Sequence, residues 1–203
     1  MDVIVDLCTF FVGSYKFSIF LGTVRQPDGA LLNIECRKEE ITMGFFKKFF
    51  SKTPEGLFAP MAGKAVPVTE VPDPTFAEGM LGNGIAIVPT DGKVYAPCDA
   101  SVDMMFPTGH AVSLVAKNGA EILIHIGLET VGLEGKPFKV HINSGDEVKK
   151  GQLMIEADLD AIQAAGLPII TPVLVCNPDA FSTFKTVTGK NVTGEDLVIE
   201  LAK

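Results

Sequence analysis

The sequence has no tryptophan, only two tyrosines, and no pair of cysteines in a Cys-x-x-Cys arrangement. Its four cysteines, Cys8, Cys36, Cys98 and Cys176, are scattered over 203 residues. This pattern predicts neither a zinc knuckle nor a disulfide scaffold. Unpaired thiols are typical of a reducing compartment, and we therefore expect a cytoplasmic protein.

Basic residues are scarce relative to acidic ones. Seventeen Lys and Arg stand against 25 Asp and Glu, which gives a net charge of -8. Proteins that bind the phosphate backbone of nucleic acids carry charge of the opposite sign. We therefore expect no nucleic acid among the partners of this protein.

A long uncharged apolar run is also missing. The most apolar stretch, residues 3–24, contains Asp6 and Lys16, so no uncharged run approaches the roughly 18 to 20 residues that cross a bilayer as a helix. A secretory signal is not indicated either, because Asp2 stands in the n-region and no small-x-small cleavage site follows the apolar stretch.

Glycine, proline and short apolar runs are plentiful by comparison. From about Leu57 onward, short β-forming runs alternate with turn signals such as Asp91-Gly92 and Asn118-Gly119, about every 8 to 12 positions. This spacing predicts an all-β domain, an antiparallel sandwich or barrel with short helices only. One helix is predicted within residues 158–165, with Asp158 as its N-cap.

Residues 1–42 do not share this pattern and show no sustained period of 2 or 3.6. Two interpretations are open: an extra hairpin docked on the domain, or translated upstream sequence. The second rests on Lys38-Glu39-Glu40, whose codons can contain a bacterial ribosome-binding sequence shortly before Met43. It predicts Met43 as the natural start, and N-terminal sequencing of the native protein would contradict it by finding Met1.

Residues 43–56 are predicted to form a basic amphipathic helix that ends in a linker at Thr53–Gly56. Phenylalanines share one face and lysines the other: Phe45, Phe46, Phe49 and Phe50 against Lys47, Lys48 and Lys52. Two interpretations are open again. The helix either packs on the domain, or makes a weak contact with an anionic membrane surface, with its rings inserted and its ammonium groups near the headgroups.

Only three histidines occur, and two of them can be placed relative to each other. Asn118-Gly119 predicts a two-residue hairpin turn. In that register His125 faces Val112, and His110 becomes its diagonal neighbour on the same sheet face, with Thr108 beside it. A three-residue loop would shift the register by one and put the imidazoles on opposite faces, so the prediction depends on the length of the turn.

A pair of facing imidazoles suits three chemistries. Imidazole has a pKa of about 6.5, so one ring can accept a phosphoryl group while the other donates an N–H to its oxygens. A zinc site needs a further ligand, and His141 follows a different loop with no geometric tie to the pair. A hydrolase would need a nucleophile motif, and no GxSxG is present.

Four segments carry a resemblance to a known family: VPDPTFAE, GNGIAI, TGHA and IHIGLETV, in this order. From about Met43 to its C-terminus, the chain resembles the glucose-type IIA component of the bacterial phosphoenolpyruvate-dependent sugar phosphotransferase system. The resemblance implies that residues 57–203 form a IIA phosphocarrier domain. It further implies a small β-sandwich with Greek-key elements and a shallow apolar depression around the histidine pair.

The resemblance also implies roles for the residues of the pair. In the family the second histidine accepts the phosphoryl group, and it matches His125; the first, which steadies that group, matches His110, and Thr108 orients it. The donor is the histidine-phosphorylated carrier protein HPr, and the acceptor is a cysteine on the IIB domain of a sugar permease. No cofactor or metal is implied beyond adventitious zinc at the pair, and we expect a monomer.

Further family positions surround the pair. Asp73 matches the first of two flanking carboxylates, and Glu129 stands where the family commonly has Asp. Four apolar residues match the rim on which both partners dock: Phe76, Met80, Leu81 and Phe106. Negative charge beside a phosphohistidine suits a donor with a basic face.

Two other classes of function remain open from the residues alone. A zinc-dependent peptidase-like β domain would need a third clustered ligand, and Leu123 stands where an HxH pair would place it. A non-catalytic regulatory binding module is also compatible, because phosphorylation of His125 would add about -1.5 to -2 charges to the docking face.

Overall fold

The computed structural model describes residues 3–12, 15–25, 31–33 and 56–203, the first three ranges as backbone strands. Strands β1 (Val3–Val12), β2 (Tyr15–Arg25) and β3 (Leu31–Asn33) form an antiparallel sheet in the order β1-β2-β3. The chain divides into two compact units, residues 1–51 and 52–203. A hairpin is therefore present in the first unit, whereas the start of translation at Met43 stays a prediction.

The predicted amphipathic helix, with the phenylalanines and lysines between Phe45 and Lys52, lies outside the described residues. Gly56, assigned above to the linker, is the first residue of strand β4. No helix among the described residues is long and apolar enough to span a membrane.

Residues 56–203 form fourteen strands and two short α-helices, α1 (Pro74–Ala77) and α2 (Leu159–Ala164), together with 3₁₀ turns at Val68–Glu70, Thr130–Leu133 and Pro178–Ala180. The strands are β4 (Gly56–Phe58), β5 (Gly63–Pro67), β6 (Asn83–Pro89), β7 (Lys93–Tyr95), β8 (Ala100–Met105), β9 (Ala111–Ala116), β10 (Glu121–His125), β11 (Phe138–Val140), β12 (Glu147–Val148), β13 (Leu153–Ala157), β14 (Thr171–Val175), β15 (Thr183–Thr186), β16 (Lys190–Val192) and β17 (Leu197–Ala202).

These strands form one large and two small antiparallel sheets. The large sheet has the order β12-β8-β9-β10-β14-β6-β5-β16, and the small sheets have the orders β11-β13-β7 and β15-β17-β4. Strands β8, β9 and β10 follow one another, and β12 returns to pair with β8, which is the Greek-key order. The prediction of an all-β antiparallel fold with short helices is confirmed.

The large sheet buries apolar side chains on both of its faces. One cluster joins the three sheets and contains Val173 and Val175 of β14, whereas Leu174 between them belongs to a second, smaller cluster. Because side chains alternate along a strand, the second cluster lies on the opposite face of the large sheet. Phe76 of α1 and Val68 belong to it, so α1 and the first 3₁₀ turn cover this face.

The two α-helices begin at aspartates that accept hydrogen bonds from backbone N–H groups. The Asp158 carboxylate accepts from Ala161 N at 2.9 Å, as the sequence predicts for α2. The Asp73 carboxylate accepts from Thr75 N at 2.8 Å and caps α1, a helix that the periodicity does not predict because four residues carry no period. The Asp-Pro start was the available signal, since Asp favours the N-cap and Pro the first helical position.

Candidate functional site

The hairpin that carries the two histidines has a different register from the predicted one. His125 pairs with Ala111 rather than with Val112, so the turn contains three residues, 117–119. Gly119 takes a left-handed conformation with φ 84°, as in three-residue hairpin loops that end in a glycine. The prediction of a two-residue turn is wrong, because a dipeptide that suits a two-residue turn also suits this longer loop.

His110 lies beside His125 in spite of this register. It precedes β9 and does not follow the alternation of that strand, although its carbonyl accepts a hydrogen bond from Ile126 N at 2.8 Å. The chain bends at Gly109, whose φ is 69° and whose Cβ, if present, would lie 2.9 Å from the Cβ of Phe138. The two imidazole centroids are 5.0 Å apart with an interplanar angle of 75°.

One hydrogen bond defines the protonation of the His125 ring. Its Nδ1 lies 2.7 Å from the carbonyl oxygen of Gly127. A carbonyl oxygen only accepts hydrogen bonds, so the neutral ring carries its proton on Nδ1 and keeps a free lone pair on Nε2. His125 is half-buried, and Nε2 is therefore the nucleophilic atom that this ring offers.

Burial lowers the pKa of both imidazoles. Desolvation, followed by the charge of His125, lowers the pKa of His110 to about 4. Desolvation also lowers the pKa of His125, against the opposing effects of its hydrogen bond to Gly127 and of the carboxylates of Asp73 and Glu129. Both rings are consequently neutral near pH 7, the state that a nitrogen nucleophile requires.

A threonine hydroxyl holds the second ring. Oγ1 of Thr108 lies 2.5 Å from Nδ1 of His110, and His110 is only 7% exposed. Because Nδ1 is engaged by this hydroxyl, the Nε2 atom of His110 is the one left to contact a group bound at the pair.

Two phenylalanines flank the imidazole pair. The ring of Phe76 lies 5.2 Å from that of His125, and the ring of Phe106 lies 5.4 Å from that of His110, centroid to centroid. Phe106 is half-buried, but Phe76 is only 5% exposed. We expected Phe76 in an exposed rim; instead it lies beneath His125, because α1 turns its ring into the second apolar cluster.

The remaining apolar residues of the predicted rim are exposed. Met80 and Leu81, just after α1, are 64% and 40% exposed. They line an open groove of about 730 Å³ together with residues such as Asn83 and Cys176. An exposed methionine beside a groove is suited to partners of different shape, since its side chain is flexible.

The two predicted carboxylates sit in contrasting backbone settings. Asp73 is the N-cap of α1 and half-buried, whereas Glu129 is exposed and has φ 58°, a left-handed conformation. Both carboxylates act on the charge of His125. The loop from Gly127 to Glu129 is thus left-handed at two positions, since Gly127 has φ 69°.

His141 is not part of this site. Its Nε2 lies 2.7 Å from Oε1 of Glu156, on strand β13. Within residues 56–203 and the three described N-terminal strands, no group of three or more His, Cys, Asp or Glu side chains is placed to hold a metal ion. The cluster that the peptidase alternative needs is therefore missing from the described part of the chain.

Sequence reasoning missed two features that hold the pair in place: the Gly127 carbonyl and the bend at Gly109. The signals available were the glycines that precede His110 and follow His125 in TGHA and IHIG, because glycine is the residue that enters left-handed conformations without strain.

Comparisons with known proteins agree on one family. Residues 55–181 match the family described as phosphoenolpyruvate-dependent sugar phosphotransferase system, EIIA 1. The chain is 45% identical over 152 residues to the PTS system glucose-specific EIIA component of Bacillus anthracis, covering 73% of this chain and 92% of that protein. It is 44% identical over 145 residues to the PTS system mannose-specific EIIBCA component of Corynebacterium glutamicum, covering 71% of this chain and 21% of that protein.

A solved structure is similar as well. The glucose permease IIA from Mycoplasma capricolum superposes with a TM-score of 0.62 at 34% sequence identity, covering 70% of this chain and 92% of that one.

Proposed function

The chain belongs to the EIIA 1 family of the phosphoenolpyruvate-dependent sugar phosphotransferase system, a family of phosphoryl carriers in sugar uptake, and we propose that His125 carries the phosphoryl group. The observation that supports this assignment is the 2.7 Å hydrogen bond from His125 Nδ1 to the Gly127 carbonyl. It leaves Nε2 unprotonated, in a ring that burial keeps neutral. A neutral imidazole with a free lone pair is the form that attacks phosphorus.

The first half-reaction needs no proton transfer. The Nε2 lone pair of His125 attacks the phosphorus of phospho-HPr, a new N–P bond forms, and the donor histidine leaves with the electrons of the old N–P bond. The transition state is loose, so alignment of the two nitrogens supplies most of the catalysis. The His125 ring becomes positively charged, and the Gly127 carbonyl and the carboxylates of Asp73 and Glu129 stabilise that charge.

The second half-reaction is also a nucleophilic displacement at phosphorus. A cysteine thiolate of the IIB domain attacks the phosphorus, an S–P bond forms, and His125 Nε2 leaves with the electrons of the N–P bond. The positive charge on the phosphorylated ring makes it a good leaving group. The product ring is again neutral and protonated on Nδ1, so the site returns to its starting state.

His110 acts on the transferred group rather than on the bond that breaks. If the Thr108 hydroxyl donates to Nδ1 of His110, the proton of the neutral ring lies on Nε2, from which it is donated to a phosphoryl oxygen. The pKa of about 4 keeps this ring neutral at physiological pH. His110 is thereby a donor to the phosphoryl group and not a second acceptor.

HPr and the IIB domain are the partners we propose, and they use the same face in turn. Phe106 lies against His110, and Met80 and Leu81 supply exposed apolar surface along the groove that follows α1. The free thiols of Cys98 and Cys176 support a reducing, cytoplasmic location. We propose that the transfer uses no cofactor, and that zinc at His110 and His125, where found, is adventitious.

Phosphorylation from phosphoenolpyruvate tests the assignment. With enzyme I and HPr present, the protein is expected to acquire an acid-labile, base-stable phosphoryl group. His125→Ala should abolish the label, and His110→Gln should keep the label but pass it slowly to IIB. His141→Gln, which alters a histidine outside the site, serves as the control and should behave as wild type. Full labelling of His125→Ala would overturn the proposal.

A further inference from the structure

The segment Ile126–Thr130, which follows His125 directly, contains a buried side chain with no assigned role, that of Thr130. The Thr130 hydroxyl donates to the Ile126 carbonyl at 2.6 Å, and Thr130 is fully buried. Buried carbonyl groups require a hydrogen-bond partner, and losing one costs more than the bond itself is worth. The conformation of this loop therefore depends on the Thr130 hydroxyl.

That hydroxyl occupies the place of a backbone partner. In the register of β9 and β10, residue 110 stands opposite residue 126, and the Ile126 N–H does donate to the His110 carbonyl at 2.8 Å. A regular antiparallel ladder would return a bond from the His110 N–H to the Ile126 carbonyl. The Ile126 carbonyl accepts from Thr130 instead, so His110 can turn out of the ladder toward His125 without leaving this carbonyl unsatisfied.

The methyl group of Thr130 restrains Gly127, the residue that follows Ile126. A Cβ added to Gly127 would lie 2.7 Å from Cγ2 of Thr130 and 2.9 Å from the Pro168 carbonyl oxygen, so Gly127 is enclosed on that side. The Leu128 N–H donates to the same Pro168 carbonyl at 2.9 Å. Thr130 thus contacts the residue whose carbonyl accepts from His125 Nδ1.

We propose that Thr130 is a positioning residue for phosphoryl transfer. Its hydroxyl and methyl hold Ile126 and Gly127 so that the Gly127 carbonyl keeps the proton of His125 on Nδ1 and the lone pair on Nε2. Apart from the His125 bond that is itself being positioned, the other bonds to Ile126 and Leu128 join backbone atoms, so Thr130 is the side chain through which this arrangement can be tested. The inference rests on the proposed function, because it assigns Thr130 to the transfer at His125.

The test combines ¹⁵N NMR of the His125 ring with transfer kinetics from phospho-HPr. Thr130→Val replaces the hydroxyl with a methyl; it is expected to mix the two tautomers of His125 and to lower kcat about tenfold or more. The KM for phospho-HPr should stay unchanged, because Thr130 is buried and does not meet the partner. Thr130→Ser keeps the hydroxyl and should retain the Nδ1–H tautomer and most of the rate.

Controls separate positioning from a general loss of stability. Val198→Ala removes buried volume from β17, which belongs to another sheet, and should leave the tautomer and kcat unchanged. Where Thr130→Val does not fold, Thr130→Ala removes the hydroxyl without adding volume and is measured in its place. A variant lacking the hydroxyl that keeps a pure Nδ1–H tautomer and the wild-type kcat would overturn the inference.

Failure of the proposed function gives a different result. If His125→Ala were still labelled, the carrier role of His125 would be lost, but the tautomer of His125 in the unphosphorylated variants would still report whether Thr130 holds the Gly127 carbonyl. If instead His125 carries the label and Thr130→Val has no effect on tautomer or kcat, only the positioning role is lost.

Discussion

At the scale of single residues, the reactivity of His125 follows from which atom each ring nitrogen faces. The Gly127 carbonyl engages Nδ1, burial disfavours the imidazolium, and two carboxylates partly offset that effect. Burial lowers the pKa of His125, whereas the Gly127 carbonyl and the two carboxylates raise it, and each carboxylate can be altered by substitution. The signs of these effects predict how the site responds to pH.

Removing a flanking carboxylate should lower the pKa of His125 further. A carboxylate favours the charged imidazolium, so Glu129→Gln is expected to move the NMR titration of His125 to lower pH than in wild type, whose midpoint should itself lie below the ordinary value of about 6.5. The neutral ring is the reactive form, so the acid limb of the transfer rate should shift in the same direction.

Glu156→Gln is the matched control for that experiment, because Glu156 faces His141 and Lys139 rather than the site. It should leave the His125 titration unchanged. A His125 midpoint that rises in Glu129→Gln would contradict the sign assigned to this carboxylate.

At the scale of secondary-structure elements, α1 links a helix cap to the active ring. Asp73 accepts from Thr75 N, and the helix that it starts presses Phe76 against His125. The same carboxylate acts on the charge of His125. One side chain therefore has both a structural and an electrostatic effect, which substitution can separate.

Asp73→Ala and Asp158→Ala form a matched pair of cap deletions. Each removes an aspartate N-cap from a short helix and should lower the free energy of unfolding by about 1 kcal/mol. Only Asp73→Ala should also lower the pKa of His125 and the transfer rate. Equal transfer rates in the two variants would show that Asp73 acts on the fold alone; chemical denaturation and transfer kinetics measure the two effects.

The two interpretations of residues 43–56 differ in their dependence on lipid charge. If this segment contacts a membrane surface, the protein should cosediment with vesicles that contain anionic lipid and less with neutral ones, and Lys47→Glu with Lys48→Glu should abolish the difference. Lys149→Glu reverses one charge on the surface of the β domain. It serves as the control for a charge change outside residues 43–56. Equal sedimentation with both vesicle types would favour packing on the domain.

At the scale of the whole molecule, the sheets determine where His125 lies, and the acidic residues determine the charge that a partner meets. The large sheet is covered on one side by the two small sheets and on the other by α1 and its neighbours, and His125 ends a strand near the middle of that sheet. The chain carries a net charge of -8, and the carboxylates of Asp73 and Glu129 act directly on His125. HPr, the proposed donor, is expected to have a basic face that these negative charges attract. Dissolved salt screens this attraction.

Transfer from phospho-HPr should accordingly weaken with ionic strength. We expect the KM for phospho-HPr to rise as NaCl increases from low to about 0.5 M, a range over which the Debye length falls well below 10 Å, while kcat changes little. Steady-state kinetics at fixed pH measures this directly. A KM that is independent of salt would mean that apolar contacts alone govern docking.

Local sequence features predicted the all-β fold, the α2 helix with its Asp158 cap, and the residue types of the site. These features depend on neighbours in the chain: alternation of apolar residues, turn residues between strands, and an aspartate that bonds a backbone N–H three positions on. The ordered segments from VPDPTFAE to IHIGLETV also predicted the family, which the comparisons confirm.

Only the tertiary structure decided how the site is assembled. The hairpin loop has three residues, and His110 reaches His125 because the chain bends at Gly109, where Phe138 and Val140 from a distant strand leave no room for a side chain. Phe76 is buried and the Gly127 carbonyl faces Nδ1 for similar reasons. Phe138 and Val140 enclose Gly109, and Pro168 helps to enclose Gly127, from segments distant in sequence; TGHA and IHIG mark these glycines but do not encode what surrounds them.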